Sequence, residues 1–116
     1  MPRLKLLVVD DEPGIRSGIT RILRSFRVDY PFMDEAFEFD VFEAETGEAG
    51  IDLIESVRPE IVLLDNKLPG IQGVEVLEYV RKKRYDIVVV MITSYASLEL
   101  ALKATNDGAY DFIPKP

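Results

Sequence analysis

The chain has 116 residues, with 14 basic and 21 acidic side chains, a formal net charge of -7, and neither cysteine nor histidine. That length suits one domain with its own core. The acidic balance works against direct contact with nucleic-acid phosphates. The missing cysteines exclude disulfides and thiolate metal sites. The missing histidines exclude imidazole bases, histidine-bound metals and a phosphohistidine carrier.

Hydrophobic residues make up 47% and charged residues 30%, an ordinary globular balance. Met1 to Leu7 lacks the long apolar core of a signal peptide. The longest apolar run, Ile87 to Ile92, falls far short of the roughly 20 residues that cross a bilayer. A soluble, cytoplasmic chain with no membrane partner is the expectation.

Leu4 to Val9 reads as a buried strand. Pro13 suits the first turn of a helix, where its missing N–H would have gone unpaired. Ile15, Ile19, Ile22, Leu23 and Phe26 then fall on one helical face. Phe37 to Phe42 alternates apolar and acidic residues, as an edge strand does. Thr46-Gly47 punctuates, and Ala49, Leu53, Ile54 and Val57 form a second helical stripe. Ile61 to Leu64 is a short apolar strand. Pro69-Gly70 marks a loop before a helix that runs to about Arg84. Ile87 to Ile92 is the most strongly β-like run. Leu98, Ala101, Leu102 and Ala104 suggest another helix, and Ala109 to Ile113 a last strand.

Strands alternating with helices of this length imply βαβ units and a parallel sheet, and right-handed crossovers place helices on both faces. Apolar strands without alternation fit a sheet covered on both sides. In such folds ligands bind beyond the carboxyl ends of the strands. The first strand ends in Asp10-Asp11-Glu12, the third in Asp65, the fourth in Thr93-Ser94 and the fifth near Lys115-Pro116.

Carboxylates gathered at one rim repel each other, so a fold that collects them normally supplies a cation. Oxygen-only donors suit a hard divalent ion such as magnesium. Lys115 adds a compact positive charge for a phosphoryl oxygen, and the Thr93 hydroxyl can donate to another. A carboxylate that forms an aspartyl phosphate is an established covalent strategy. Each feature alone has a plainer reading. An acidic pair after a strand also serves as a helix cap, a lone Asp also begins turns, and Ser or Thr also caps helices. The joint placement at successive strand ends is what points to phosphoryl chemistry.

The sequence resembles the response regulator receiver family of two-component signalling, in the CheY-like superfamily. The resemblance rests on Leu6-Leu7-Val8-Val9-Asp10-Asp11-Glu12, on Val62-Leu63-Leu64-Asp65 with Leu68-Pro69-Gly70 and Gly73, on Met91-Ile92-Thr93-Ser94, and on the closing Gly108 to Pro116. It implies a flavodoxin-like, doubly wound α/β fold with a five-stranded parallel sheet in the order 2-1-3-4-5. It further implies that Asp65 accepts a phosphoryl group from a sensor histidine kinase or phosphotransfer protein. Asp11, Asp65 and the Lys67 backbone carbonyl would hold Mg2+, or Mn2+ in its place, with Asp10 acting mainly through bound water. Thr93 and Lys115 would hold the phosphoryl oxygens. Phe112 falls on the family's aromatic switch position, often Tyr, so its switching would rest on packing. An aromatic in a last strand is also simply core. The Lys115-Pro116 bond is typically cis in the family. Lys67 and Tyr95, two residues after Asp65 and Thr93, would tune the lifetime of the phosphoryl group, or else be ordinary exposed loop residues.

Two features depart from the family pattern. The connection around residues 27–38 is longer than usual and carries Tyr30, Pro31, Phe32, Met33 and Phe37, a set expected to pack on something. The sequence also stops at Lys115-Pro116, before the fifth helix that receivers normally add, so residues 1–116 read as a receiver cut from a longer regulator. An apolar patch left beside the first helix would then mark an interface or an aggregation risk, unless the inserted segment or a partner chain covers it. Expected partners also include an output domain on a longer parent chain and a second copy in a homodimer. The closing motif resembles receivers of sigma-54-dependent, NtrC-type regulators and of hybrid kinases.

The expected function is a signalling switch that catalyses only its own phosphorylation and dephosphorylation. One rival is a receiver used for docking without phosphorylation, against which the complete set of Asp10, Asp11, Asp65, Thr93 and Lys115 counts. The other is a phosphatase of the haloacid dehalogenase type. That chemistry wants a second Asp two residues after the nucleophile, where this chain has Lys67.

Overall fold

The computed structural model describes residues 3–25, 27–29, 36–93 and 111–114, with the side chains of 27–29, 36, 93 and 111–114 excepted. The elements are β1 (Arg3–Val9), α1 (Pro13–Ser25), β2 (Arg27–Asp29), β3 (Ala36–Ala44), α2 (Gly47–Val57), β4 (Ile61–Asp65), α3 (Gly73–Lys83), β5 (Val88–Thr93) and β6 (Asp111–Pro114). The sheet order is β2-β3-β1-β4-β5-β6. Strands β3, β1, β4, β5 and β6 are parallel to one another, in the order expected from the sequence. The sheet is flavodoxin-like, with one strand more than expected. The helix read at Leu98 to Ala104 lies outside the described residues. Among the described residues, no helix is long and apolar enough to cross a membrane.

The unbroken apolar runs follow from a sheet covered on both faces. In β1, Leu7 and Val9 point to one side and pack with Ile54, Val62, Leu64, Val76, Leu77 and Met91, beneath α2 and α3. Leu6 and Val8 point to the other side and join Phe39, Val41, Ile19 and Leu23, beneath α1. Side chains alternate faces along a strand, so a strand buried on both faces must be apolar throughout. Burying each Leu, Ile or Met side chain contributes about 1.5–3 kcal/mol.

The extra strand lies within the lengthened connection of residues 27–38. Arg27–Asp29 pairs antiparallel with Ala36–Glu38, so this connection is a hairpin built onto the sheet. The segment read as an edge strand, Phe37 to Phe42, is therefore flanked on both sides at its start, by β2 and by β1. Its acidic positions are paired rather than merely solvated. Arg3 Nη1 bonds Glu38 at 2.8 Å, and Arg3 Nε bonds Asp40 at 2.7 Å.

Helix α1 also sits differently from its hydrophobic stripe. Thr20 is buried, Arg16 and Ile19 are half-buried, and Ile22 is 64% exposed. Residues 16, 19, 20 and 23 are spaced i, i+3, i+4, i+7 and form the sheet-facing side. Ile15 and Ile22 lie about a quarter turn away, because each residue rotates the helix by about 100°. Of the stripe Ile15, Ile19, Ile22, Leu23 and Phe26, Ile19 and Leu23 pack on the sheet, Ile22 does not, and Phe26 lies outside the described residues. The structure turns Arg16 and Thr20 inward beside Ile19 and Leu23.

Candidate functional site

Strand register brings the ends of β1 and β4 level. Val9 pairs with Leu64, and Leu64 with Met91. The next residues, Asp10 and Asp65, therefore emerge side by side at the carboxyl rim. Past the strand ends, Asp10 N–H donates to the Ala44 carbonyl of β3 at 3.0 Å and Asn66 N–H to the Ile92 carbonyl of β5 at 3.1 Å.

The chain leaves both strands by the same device. Asp10 Oδ1 accepts from the Glu12 N–H at 2.9 Å, and Asp65 Oδ1 from the Lys67 N–H at 3.2 Å. A carboxylate that caps the amide two residues on makes a turn of its own. Each turn fixes its carboxylate over the strand end. After Asp10 the helix starts at once, with Pro13 in its first turn and Arg16 N–H bonded to the Glu12 carbonyl at 3.0 Å.

The loop after Asp65 is tied at several points. Gly73 N–H bonds the Asn66 carbonyl at 3.2 Å, and Gln72 Nε2 bonds the Leu68 carbonyl at 2.9 Å. Glu48, in the first turn of α2, accepts from the Ile71 N–H at 2.8 Å. Gly70 has φ +73, which glycine adopts without strain. Helix α2 is set in turn by Thr46, whose hydroxyl oxygen accepts from the Ala49 N–H at 3.0 Å. That hydroxyl is the N-cap of α2, at the point where Thr46-Gly47 punctuates the sequence.

These constraints gather Asp10, Asp11, Glu12 and Asp65, whose ligand oxygens all lie within 4.8 Å of one another. Asp10 is fully buried, Asp65 is 2% exposed, and Asp11 and Glu12 are exposed. The cluster thus has a buried floor and an exposed rim. Two unit charges about 5 Å apart repel by about 3 kcal/mol at an effective dielectric of 20. Several such pairs are hard to hold together without a cation. An all-oxygen donor set, partly charged and open on one side, fits a hard divalent ion that keeps some of its water.

The structure brings Asp10, Asp11 and Asp65 together as the sequence led us to expect, and it adds Glu12. The sequence placed Glu12 at the strand end but not among the ligands, and the signal was the Asp10 turn that folds its backbone back. Thr93 closes β5, and its backbone pairs with Pro114. The Thr93 side chain lies outside the described residues, as do the Phe112 side chain, Tyr95, Lys115 and the Lys115-Pro116 bond. Lys67 is exposed beside Asp65. Arg16 and Glu48, which hold the loops, were not singled out from the sequence.

The comparisons with known proteins agree with this geometry. The family described as "Response regulator receiver domain" matches residues 6–116. The chain is similar to sporulation initiation phosphotransferase F of Bacillus subtilis, 31% identical over 112 residues that cover 97% of this chain and 82% of that protein. It is also similar to the response regulator protein PilR of Pseudomonas aeruginosa, 31% identical over 116 residues, which is all of this chain but 24% of that protein. Among solved structures it resembles the signal receiver domain of a Luxo repressor protein from Vibrio parahaemolyticus. The TM-score there is 0.82 at 30% identity, covering 98% of this chain and 79% of the other. A chain with these strand ends, this sheet order and a family match over residues 6–116 belongs to the response regulator receiver family.

Proposed function

We propose that Asp65 is the phosphoacceptor of this receiver. The observation that carries the reading is the convergence of Asp10, Asp11, Glu12 and Asp65 at the ends of the adjacent strands β1 and β4. A carboxylate oxygen of Asp65 bonds to phosphorus as the bond to the donor breaks, and the electron pair leaves with the donor group. Phosphoryl transfer of this kind needs positioning and charge neutralisation more than covalent assistance. Thr93 and Lys115 hold the phosphoryl oxygens. Asp11, Asp65 and the Lys67 carbonyl would hold Mg2+, or Mn2+ in its place, with Asp10 acting mainly through bound water. The ion offsets negative charge on the phosphoryl group and the carboxylates.

The donor is a sensor histidine kinase or a phosphotransfer protein. The added charge biases Phe112 and the loop after Thr93, and so changes contacts with an output domain or a second copy. Lys67 and Tyr95 set how long the phosphoryl group lasts. The closing motif and the likeness to PilR, of which this chain covers 24%, support an output domain on a longer parent chain. The domain is a signalling module whose only chemistry is on itself.

The test is incubation with acetyl phosphate and Mg2+, followed by intact-mass measurement. The wild type gains one phosphoryl group and Asp65→Asn gains none. A wild type without added mass overturns the reading and favours a docking role. Steady release of phosphate from an organic ester, abolished by Asp65→Asn, favours the phosphatase.

A further inference from the structure

We propose that Arg16 is a positioning residue, holding the Asp10–Glu12 loop in its cation-binding form by joining it to Glu43 at the end of β3. The proposal rests on the reading of the acidic cluster as a cation site and adds to it a residue outside the ligand set. Arg16 lies on the sheet-facing side of α1, with its side chain 17% exposed. Its Nη1 donates to the Asp10 carbonyl at 2.7 Å, and its Nε lies 3.3 Å from Glu43 Oε1. The planar guanidinium serves both acceptors at once, which an ammonium on a lysine stem does not reproduce.

Asp10 is then held from three sides. Its N–H bonds the Ala44 carbonyl, its carbonyl accepts from Arg16, and its Oδ1 accepts from the Glu12 N–H. Glu43 and Ala44 are consecutive in β3, so the same strand end anchors both the amide of Asp10 and the arginine that grips its carbonyl. The four gathered carboxylates push one another apart whenever no cation sits between them. A loop fixed in this way keeps them close in the free protein.

Field and positioning predict opposite signs. Arg16 carries a positive charge beside the carboxylates, so by charge alone its removal strengthens cation binding. If it positions the loop, its removal weakens binding. Partners of this outer kind change metal affinity by about tenfold or more when removed.

The experiment titrates Mn2+ into full-length wild type, Arg16→Gln and Arg16→Lys, counting bound ion by electron paramagnetic resonance. It also measures the Mg2+ dependence of phosphorylation by acetyl phosphate. Both variants should bind Mn2+ about tenfold more weakly. The half-saturating Mg2+ should rise by a similar factor, while the rate at saturating Mg2+ stays within about twofold of wild type. Glu43→Gln should weaken binding in the same direction, and adding it to Arg16→Gln should cost little more, because the two act through one link. If Arg16→Gln destabilises the fold, Arg16→Lys carries the comparison. Unchanged or tighter binding in Arg16→Gln overturns the proposal, and so does an Arg16→Lys that matches wild type. A wild type that binds no Mn2+ overturns the cation reading itself, a separate outcome.

Discussion

Gly73 opens α3, and a methyl group there would meet the end of β4 at Asp65 directly. A Cβ built on its backbone comes to 2.2 Å from the Asp65 carbonyl oxygen, 3.0 Å from Asn66 Cα and 3.1 Å from the Asp65 carbonyl carbon. All three neighbours are backbone, so no side chain can swing aside. Relief needs a movement of about 1 Å by α3 or by the end of β4, and both are pinned. Strand β4 lies between β1 and β5, and α3 buries Val76 and Leu77 in the core. Forcing extra volume into such a contact costs about 1–3 kcal/mol. The helix-propensity gain of alanine, about 1 kcal/mol in a helix interior, applies only weakly at a first residue. Gly73→Ala should therefore lose about 2 kcal/mol, and its urea midpoint should fall by about 1 M for a slope near 2 kcal/mol/M. Because the clash falls on Asp65, phosphorylation by acetyl phosphate should slow as well. Gly18→Ala is the contrasting case: it lies within α1 with nothing inside 4 Å of the added atom. It should stabilise by about 0.5–1 kcal/mol. Urea unfolding followed by circular dichroism decides. A Gly73→Ala protein that unfolds with wild-type midpoint and phosphorylates at the wild-type rate refutes the steric argument.

Three further outcomes are expected. Ile54→Ala should cost about 2–5 kcal/mol, since Ile54 is fully buried, whereas Ile22→Ala, at a position 64% exposed, should stay within about 0.5 kcal/mol in the same unfolding assay. The Glu55 carboxyl is held below its ordinary range by hydrogen bonds from Tyr79 and then Tyr85, and the same bond pushes Tyr79 up to about 12. A depressed carboxylate contributes stability that is in place above its unfolded pKa of 4.5 and is lost as pH falls through its lower folded value. The stability gap between wild type and Glu55→Gln should thus be full at neutral pH and close in acid; a gap independent of pH contradicts the hydrogen-bond assignment. Tyr95→Ala should change the rate of phosphate release from the phosphorylated protein, and an unchanged rate removes Tyr95 from the tuning role.

What is legible in the sequence is local. An apolar run that ends in an acid, or a Pro-Gly pair before a helix, is complete within a few residues, so the amino-acid order alone suffices to place Asp10, Asp11 and Asp65 at strand ends. The Thr46 cap is equally local. Features set by distant partners are not visible in this way. Glu48 reaches 23 residues along the chain to the Ile71 amide, and nothing in either segment announces the other. Arg16 escapes for a different reason. Periodicity ranks residues by hydrophobicity, and a helix that must deliver a guanidinium to the sheet edge turns a polar residue inward at the expense of an isoleucine.

The hairpin shows how a departure from the family pattern is accommodated without disturbing the site. Strand β2 pairs with residues 36–38, at the start of β3, while at its end Ala44 bonds the Asp10 amide and Glu43 pairs with Arg16. Residues 39–42 separate the two regions, so Glu38 and Glu43 lie about 16 Å apart at roughly 3.3 Å per residue. Chain in a parallel α/β sheet can be lengthened at the amino ends of the strands because ligands gather at the carboxyl ends. The three residues of β2 then cover a stretch of backbone that would otherwise be an open edge. By this placement, changes within the hairpin should reach Asp65 only through the register of β3, and that register is locked to β1 over seven pairs, from Arg3–Glu38 to Val9–Ala44.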